Sequence, residues 1–365
     1  MQDASDRRLN LAEYRLHRLR LELARPIGDS QVVFTDHWMT VLELTTEDGL
    51  TGVGFELQQG KPTPALAQLE AQFEYNMWPM LRGSSPFGEA LRISRPRGGN
   101  VDAGTLPLAV ETAAWDLVGK AADLPLYRLL GGTSPEVPAY GSTLDFHLSD
   151  DEFVSRLGDF KKTGFHAIKI KVGHPDVEWD LKRMQMATEV MGQDADLMVD
   201  ANEAWSPKEA IRRSHIYNNA GFDVYWIEDP ITREDYNGYA QLRGEIPFSR
   251  INTGEYLGFH GKRRLLETGG VDVLNVHGSI GMSRAAAQLA GDYGIPVSLG
   301  NTIMETGVHL AASLPEVLYL EFSDLVWNKI AKEPVKFADG KAIAPDHPGH
   351  GIELDRDALA EYSHN

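Results

Sequence analysis

From residue 137 onward the chain carries eight short apolar runs: VPAYGS, HAIKIKVG, ADLMVDAN, DVYWIEDP, SRINTGEY, VDVLNVHG, IPVSLGN and VLYLEF. They recur at roughly 20–30 residues, with amphipathic stretches such as 177–191 between them, and this spacing leaves room for a crossover helix after each strand. Eight strand–helix units predict parallel strands closing into a modified (β/α)8 TIM-type barrel over residues 131–335. Residues 14–21 alternate polar and apolar, and WMTVLELTT at 38–46 runs through a turn at 47–49 into Gly52-Val53-Gly54-Phe55-Glu56, which predicts an antiparallel meander. Residues 25–30 have no period and two breakers, so a mobile loop over a site is expected there. Helical patterns at 64–81 and 109–117, the latter stopping near Gly131-Gly132, complete an α+β capping domain over 1–130. The turn-rich tail 336–365 is expected to return to it.

A chain of 365 residues with 42% hydrophobic and 24% charged residues can bury a large core. Its 35 basic and 53 acidic residues give a charge of −18, a field that repels phosphate backbones and anionic lipid, so nucleic acid and membrane partners are not expected. There is no cysteine. Disulfides, thiolate nucleophiles and sulfur-ligated metals are therefore excluded, and any cation must rest on oxygen or imidazole. No window reaches the roughly 20 apolar residues of a membrane span, and the start MQDASDRRLN lacks the apolar stretch of a secretory signal. A cytoplasmic location is expected.

In a parallel barrel the reactive groups gather at the C-terminal ends of the strands. The second run ends in Lys169-Ile170-Lys171, the third in Asp200-Ala201-Asn202, the fourth in Glu228-Asp229 and the fifth in Glu255. Residues two apart on a strand share a face, so both lysines point into the barrel. Beside a cation and each other they would be pushed toward a lower pKa, as suits a general base; the plainer reading is two lysines reaching solvent. Asp200, Glu228 and Glu255 would repel one another without a counterion. A divalent cation, magnesium by oxygen ligation, resolves this, although salt bridges or helix caps account for any one of these acids alone. Asn202 is expected beside the metal as a supporting donor.

KIKVG at 169–173, VDANEAW at 199–205, WIEDP at 226–230, TGEYL at 253–257 and AAWDLVGKAADLPLYRLLGG at 113–132 resemble, in order and spacing, the enolase superfamily, in its mandelate racemase and muconate lactonizing branch. The resemblance covers nearly the whole chain. It implies that Asp200, Glu228 and Glu255 bind Mg²⁺, that the metal holds a substrate carboxylate, and that Lys171 removes the α-proton while Lys169 supplies positive charge. It also implies a small-molecule carboxylate substrate, and a homo-oligomer is expected.

The pattern departs from the racemase-like one, in which an aspartate ends the sixth strand and a histidine the seventh. Here His277 stands near the aspartate position, and Gly300 or Asn301 takes that of the histidine. His277 is a candidate acid or base, or else a packing histidine. Glu321 in YLEF looks similar to the acid that hydrogen-bonds the substrate carboxylate, with Asp324 close by. His147 and the basic turn Arg95-Pro96-Arg97-Gly98-Gly99-Asn100 could reach the substrate, or be solvated loops. There is no Walker-type loop, GxGxxG, HExxH or G-x-S-x-G, which removes support for nucleotide, zinc-protease and serine-hydrolase chemistry. The expected reaction is dehydration of an acid sugar, an aldonate or aldarate, to a 2-keto-3-deoxy acid by a hydro-lyase. Racemisation, epimerisation, cycloisomerisation and a non-catalytic binding role are the alternatives, and His277 is the favoured proton donor to the leaving hydroxyl, with Lys171 as the other candidate.

Overall fold

The computed structural model describes residues 9–93, 106–300, 304–314, 317–323 and 329–365. Three antiparallel strands open the chain, β1 (Leu11–Gly28), β2 (Val33–Thr46) and β3 (Thr51–Gln59), in the order β1-β2-β3. The helix Pro107–Ala122 lies against β3, where Gly54 permits the approach: a Cβ there would meet the Ala109 carbonyl at 1.8 Å. Leu42, Leu44, Phe73, Trp78, Ala113 and Leu117 form a small core for this unit.

The barrel follows as β4 (Glu136–Ser142), β5 (Ala167–Lys171), β6 (Asp196–Asp200), β7 (Val224–Glu228), β8 (Arg250–Thr253), β9 (Val273–Asn275), β10 (Val297–Leu299) and β11 (Val317–Phe322). Each pairs parallel with the next, and β11 pairs with β4 to close the ring. β5 and β8 to β10 are buried along nearly their whole length, as strands covered on both faces must be. Serine or aspartate starts most of the crossover helices: the side chains of Ser149, Asp176, Ser206, Asp235 and Ser279 each accept a backbone N–H of the first turn. The helix after β8, Phe259–Thr268, begins at Gly258 and has no such cap.

Inside the ring Tyr140, Ala167, Met198 and Trp226 pack together, with Tyr319 against them. They form an apolar floor beneath the level of Lys171, Asp200 and Glu228. The tail first adds the hairpin β12 (Lys336–Ala338) and β13 (Lys341–Ile343) to the outer edge of β4. It then reaches the first sheet, where His350 Nε2 meets the Val53 carbonyl at 2.8 Å and Arg356 pairs bidentately with Glu43.

One local expectation changes. Residues 25–28 belong to β1 and not to a loop, because pairing with β2 resumes at Ile27 and Gly28 after a break in register beyond Glu22. The irregular stretch is absorbed as a bulge, and the strand end still reaches the barrel mouth. Arg25 donates to the carbonyls of Thr143 (3.0 Å) and Leu144 (3.3 Å), and Gln31 to that of Asn202 (2.5 Å). No helix among the described residues is long and apolar enough to cross a membrane.

Candidate active site

A cavity of ≈ 60 Å³ at the C-terminal ends of the strands is lined by Lys169, Lys171, Asp200, Asn202, Glu255 and Glu321 from the barrel. Ile27, Gly28, Asp29, Phe34 and Gln59 cover it from the first sheet. The β5–β6–β7 register sets Lys171, Asp200 and Glu228 side by side. Lys169 Nζ lies 2.5 Å from Glu228 Oε1, 3.2 Å from Glu321 Oε1 and 3.5 Å from Asp200 Oδ2. Lys171 Nζ donates to Asp200 Oδ2 at 2.7 Å and to Asn202 Oδ1 at 2.6 Å. The other Glu228 oxygen accepts from Trp226 Nε1 (3.1 Å) and Asn252 Nδ2 (3.4 Å). Asn202 thus turns to the lysine, in a left-handed conformation (φ 44°) that folds the chain sharply after β6.

Burial and the surrounding carboxylates act on the two lysines in opposite directions. Burial pulls both down, but Glu228 and Glu321 around Lys169, and Asp200 against Lys171, outweigh it and raise both above the ordinary lysine value. The deciding contacts are lysine to carboxylate and not lysine to lysine. Burial likewise drives Glu228 far up despite Lys169. Asp200, though burial opposes it, is held low by Lys171 and Lys169.

Among the described residues no three side chains stand as a formed metal cage, and the Asp200 and Glu228 carboxylates pair with Lys171 and Lys169. The donor chemistry does fit a hard divalent cation. Five buried carboxylates, Asp200, Glu228, Asp229, Glu255 and Glu321, share this region with three buried ammonium groups, Lys169, Lys171 and Lys262. Asp229 keeps one buried oxygen without a hydrogen bond, and burial with Asp200 and Glu255 nearby pushes it up to about 7. An excess of buried negative oxygen is what magnesium would neutralise.

The opposite rim is different. Gly300 follows β10 on the inward face: Ser298, two residues earlier, bonds Asn252 across the interior, and a Cβ on Gly300 would stand 2.8 Å from Glu321 Oε2 and 3.0 Å from Asn275 Nδ2. Among the described residues, Gly300 brings no side chain to the end of β10. β9 ends at Asn275, and His277 lies in the loop beyond, its Nδ1 2.8 Å from the Gly300 carbonyl. A carbonyl can only accept, so Nδ1 is the donor in this contact. His277 lines a neighbouring cavity of ≈ 200 Å³ with Phe55, Leu57, Ile280 and Leu310, and Gln59 borders both cavities. His147 meets the Val32 carbonyl at 3.2 Å on the exposed rim. Asn301, Asp324 and the turn 95–100 lie outside the described residues.

Two models of known families match the chain: the mandelate racemase / muconate lactonizing enzyme N-terminal domain over 15–131, and the enolase C-terminal domain-like family over 152–358. The chain belongs to the enolase superfamily. Within its mandelate racemase and muconate lactonizing branch, this enolase-superfamily chain is 32% identical to the 3,6-anhydro-alpha-L-galactonate cycloisomerase of Streptomyces coelicolor, over 93% of this chain and 96% of that one. A racemase from Streptomyces coelicolor A3(2) with bound magnesium superposes with a TM-score of 0.87 at 28% identity, covering 97% of this chain and 100% of that one. L-talarate dehydratase from Polaromonas sp. JS666, complexed with Mg and L-glucarate, superposes at 0.84 and 28% identity, covering 98% of each. These relatives are enzymes, and they catalyse more than one reaction.

Several site residues carried no sequence signal that separated them from packing. Asp145 accepts the Lys171 backbone N–H at 2.8 Å and the Thr143 hydroxyl, bracing the end of β5. Gln59, beyond the strand read at 52–56, and Tyr256, inside TGEYL, also line the cavity, and neither was singled out. Lys262 is a helical lysine in the sequence and a buried one in the fold. Only its spacing after TGEYL could have drawn attention to it.

Proposed function

We propose that this chain is a magnesium-dependent enzyme that removes the proton α to a carboxylate, and that its reaction is dehydration of an acid sugar, an aldonate or aldarate, to a 2-keto-3-deoxy acid. The observation that carries this reading is the asymmetry of the mouth: two buried lysines among carboxylates on one side, a glycine on the other. Asp200, Glu228 and Glu255 would hold the metal, which supplies positive charge where the substrate carboxylate gains negative charge.

Lys171 is the base. Its ammonium is stabilised by Asp200 and Asn202, so it becomes a base only when the Asp200 charge is committed elsewhere and burial alone acts on it. Lys169, between Glu228 and Glu321, stays charged and faces the substrate carboxylate. After the first step Lys171 holds a proton in the same cavity as the departing hydroxyl and can return it there, giving syn elimination. His277 is the other donor and would give anti elimination; its place on the adjoining cavity favours Lys171. A two-base racemase needs a second base on the opposite face, where Gly300 offers none. Epimerisation or cycloisomerisation remains as a second reading because the His277 imidazole lies near that face. A purely binding descendant would keep two buried lysines at a desolvation cost with no chemical return.

Incubating the protein with Mg²⁺ and a panel of aldonates and aldarates tests this. Formation of 2-keto acid is expected. Magnesium-dependent α-hydrogen exchange with inversion and no elimination would assign the second reading instead.

A further inference from the structure

Glu255 is carried by a turn and not by a strand. β8 ends at Thr253, and the Leu257 N–H donates to the Gly254 carbonyl at 3.1 Å, so Glu255 and Tyr256 are the two corner residues. Gly254 enters the turn at φ 123°, where a Cβ would stand 2.9 Å from the Asn275 carbonyl. Its outer face is held by Arg233, whose guanidinium lies 4.4 Å from the Tyr256 ring centre and which pairs with Glu203.

The inner face is held by Lys262. This side chain is 2% exposed, and its ammonium donates to the carbonyls at both ends of the turn, that of Gly254 and, at 2.7 Å, that of Leu257. The placement is expensive. A buried ammonium loses hydration, and a cation in the first turn of Phe259–Thr268 opposes the helix dipole. This crossover helix also has no side-chain N-cap. Both hydrogen bonds of the ammonium go to the turn that carries Glu255, and the charges of Asp229 and Glu255 act on it favourably.

We propose that Lys262 is a positioning residue that locks the Gly254–Leu257 turn and so aims the Glu255 carboxylate at the divalent cation. The inference rests on the reading of Glu255 as a magnesium ligand. Lys262 touches neither metal nor substrate; it acts through the two carbonyls.

The chain has no cysteine, so a single introduced thiol can be alkylated selectively. Lys262→Met, Lys262→Cys, and Lys262→Cys treated with 2-bromoethylamine to rebuild an ammonium are compared with Leu265→Ala, a cavity variant in the core of the same helix. Magnesium affinity is read by calorimetry, and the thermal midpoint is read without metal. Lys262→Met and unmodified Lys262→Cys should lose roughly 10–100-fold in Mg²⁺ affinity, as removal of outer-sphere support does. Alkylation should restore it, and Leu265→Ala should lower the midpoint while keeping the affinity. Native affinity in the folded Lys262 variants, or an equal affinity loss in Leu265→Ala, would overturn the proposal, as would failure of alkylation to restore binding. Should Lys262→Met not fold, the alkylated and unalkylated cysteine proteins carry the same comparison. Loss of affinity in Lys262→Met with full affinity in Glu255→Gln would instead overturn the ligand reading on which the proposal rests. No magnesium binding by the native protein would overturn both.

Discussion

The two sides of the barrel mouth are made by the same kind of element and furnished in opposite ways. From β5 to β8 the strand ends deliver Lys169, Lys171, Asp200, Glu228 and, one turn later, Glu255, each buried and most of them paired. From β9 to β10 the corresponding positions hold Asn275 and Gly300, and the nearest imidazole, His277, is tied through Nδ1 to a backbone carbonyl and lines a different cavity. A barrel stays folded with either furnishing, so the difference concerns chemistry. On the reading proposed above, one face takes a proton and spreads charge while the other leaves room, and that asymmetry favours elimination over inversion; the fold alone does not choose between them.

The sharpest way to break the comparison is to remove its base. Lys171→Met should lower α-proton exchange by ~10²–10⁴-fold, the range for an acid–base group, when exchange into D₂O is followed by NMR. Undiminished exchange would place the base on the sparse side. Next, Glu228→Gln should weaken Mg²⁺ by more than the ~10–100-fold typical of outer-sphere partners, measured by calorimetry on metal-stripped protein. Equal affinity in that variant would remove Glu228 from the ligand set.

The sparse side should respond less. His277→Asn is expected to keep elimination within about tenfold of the native rate, against the ~10²–10⁴-fold cost of losing a true proton donor, with α-exchange unchanged. A larger fall in elimination alone would make His277 the donor and the elimination anti. The smallest effect lies far from the mouth, at the contact between the first sheet and the tail. Burial pushes Glu43 up, but hydrogen bonds from Arg356 and His17 outweigh it and hold the carboxyl at about 2. A folded-state value below the unfolded one contributes stability that is complete above about pH 4.5 and is lost as pH falls toward 2. Glu43→Gln should therefore lower the thermal midpoint at neutral pH and flatten its decline below pH 4.5. Because the Arg356 side chain is 56% exposed, solvent screening holds the loss to on the order of 1 kcal/mol.

The barrel and its polar rim could be read from the sequence because each depends on short-range pattern. Apolar runs and Ser or Asp caps fix where strands stop, and strand ends fix which residues share the mouth. Lys169, Lys171, Asp200, Glu228, Glu255 and Glu321 come together for that reason. What the pattern does not encode is partnership across the ring. The lysines were expected to be lowered beside a cation and each other; that each also has a carboxylate within 2.7 Å is a pairing the strand pattern does not show. Asn202 was expected beside a metal as a supporting donor; that it bonds Lys171, where two left-handed residues after β6 turn the chain, is not written in the pattern. The stretch 25–28 looked irregular because a bulge breaks its period, although pairing resumes beyond it. Lys262 was invisible, since a helical lysine gives no sign in sequence of whether it points outward or beneath a neighbouring turn.

The central claim, a single base serving elimination, is tested most directly by one NMR measurement. The protein is incubated in D₂O with Mg²⁺ and each acid sugar of a diastereomeric panel, and the α-carbon and the product are followed together. The account predicts 2-keto-3-deoxy product from acids of one α-configuration, with deuterium entering any recovered substrate only with retention, and both signals abolished in Lys171→Met. Deuterium incorporated with inversion at the α-carbon, from both configurations and without loss of water, would contradict it.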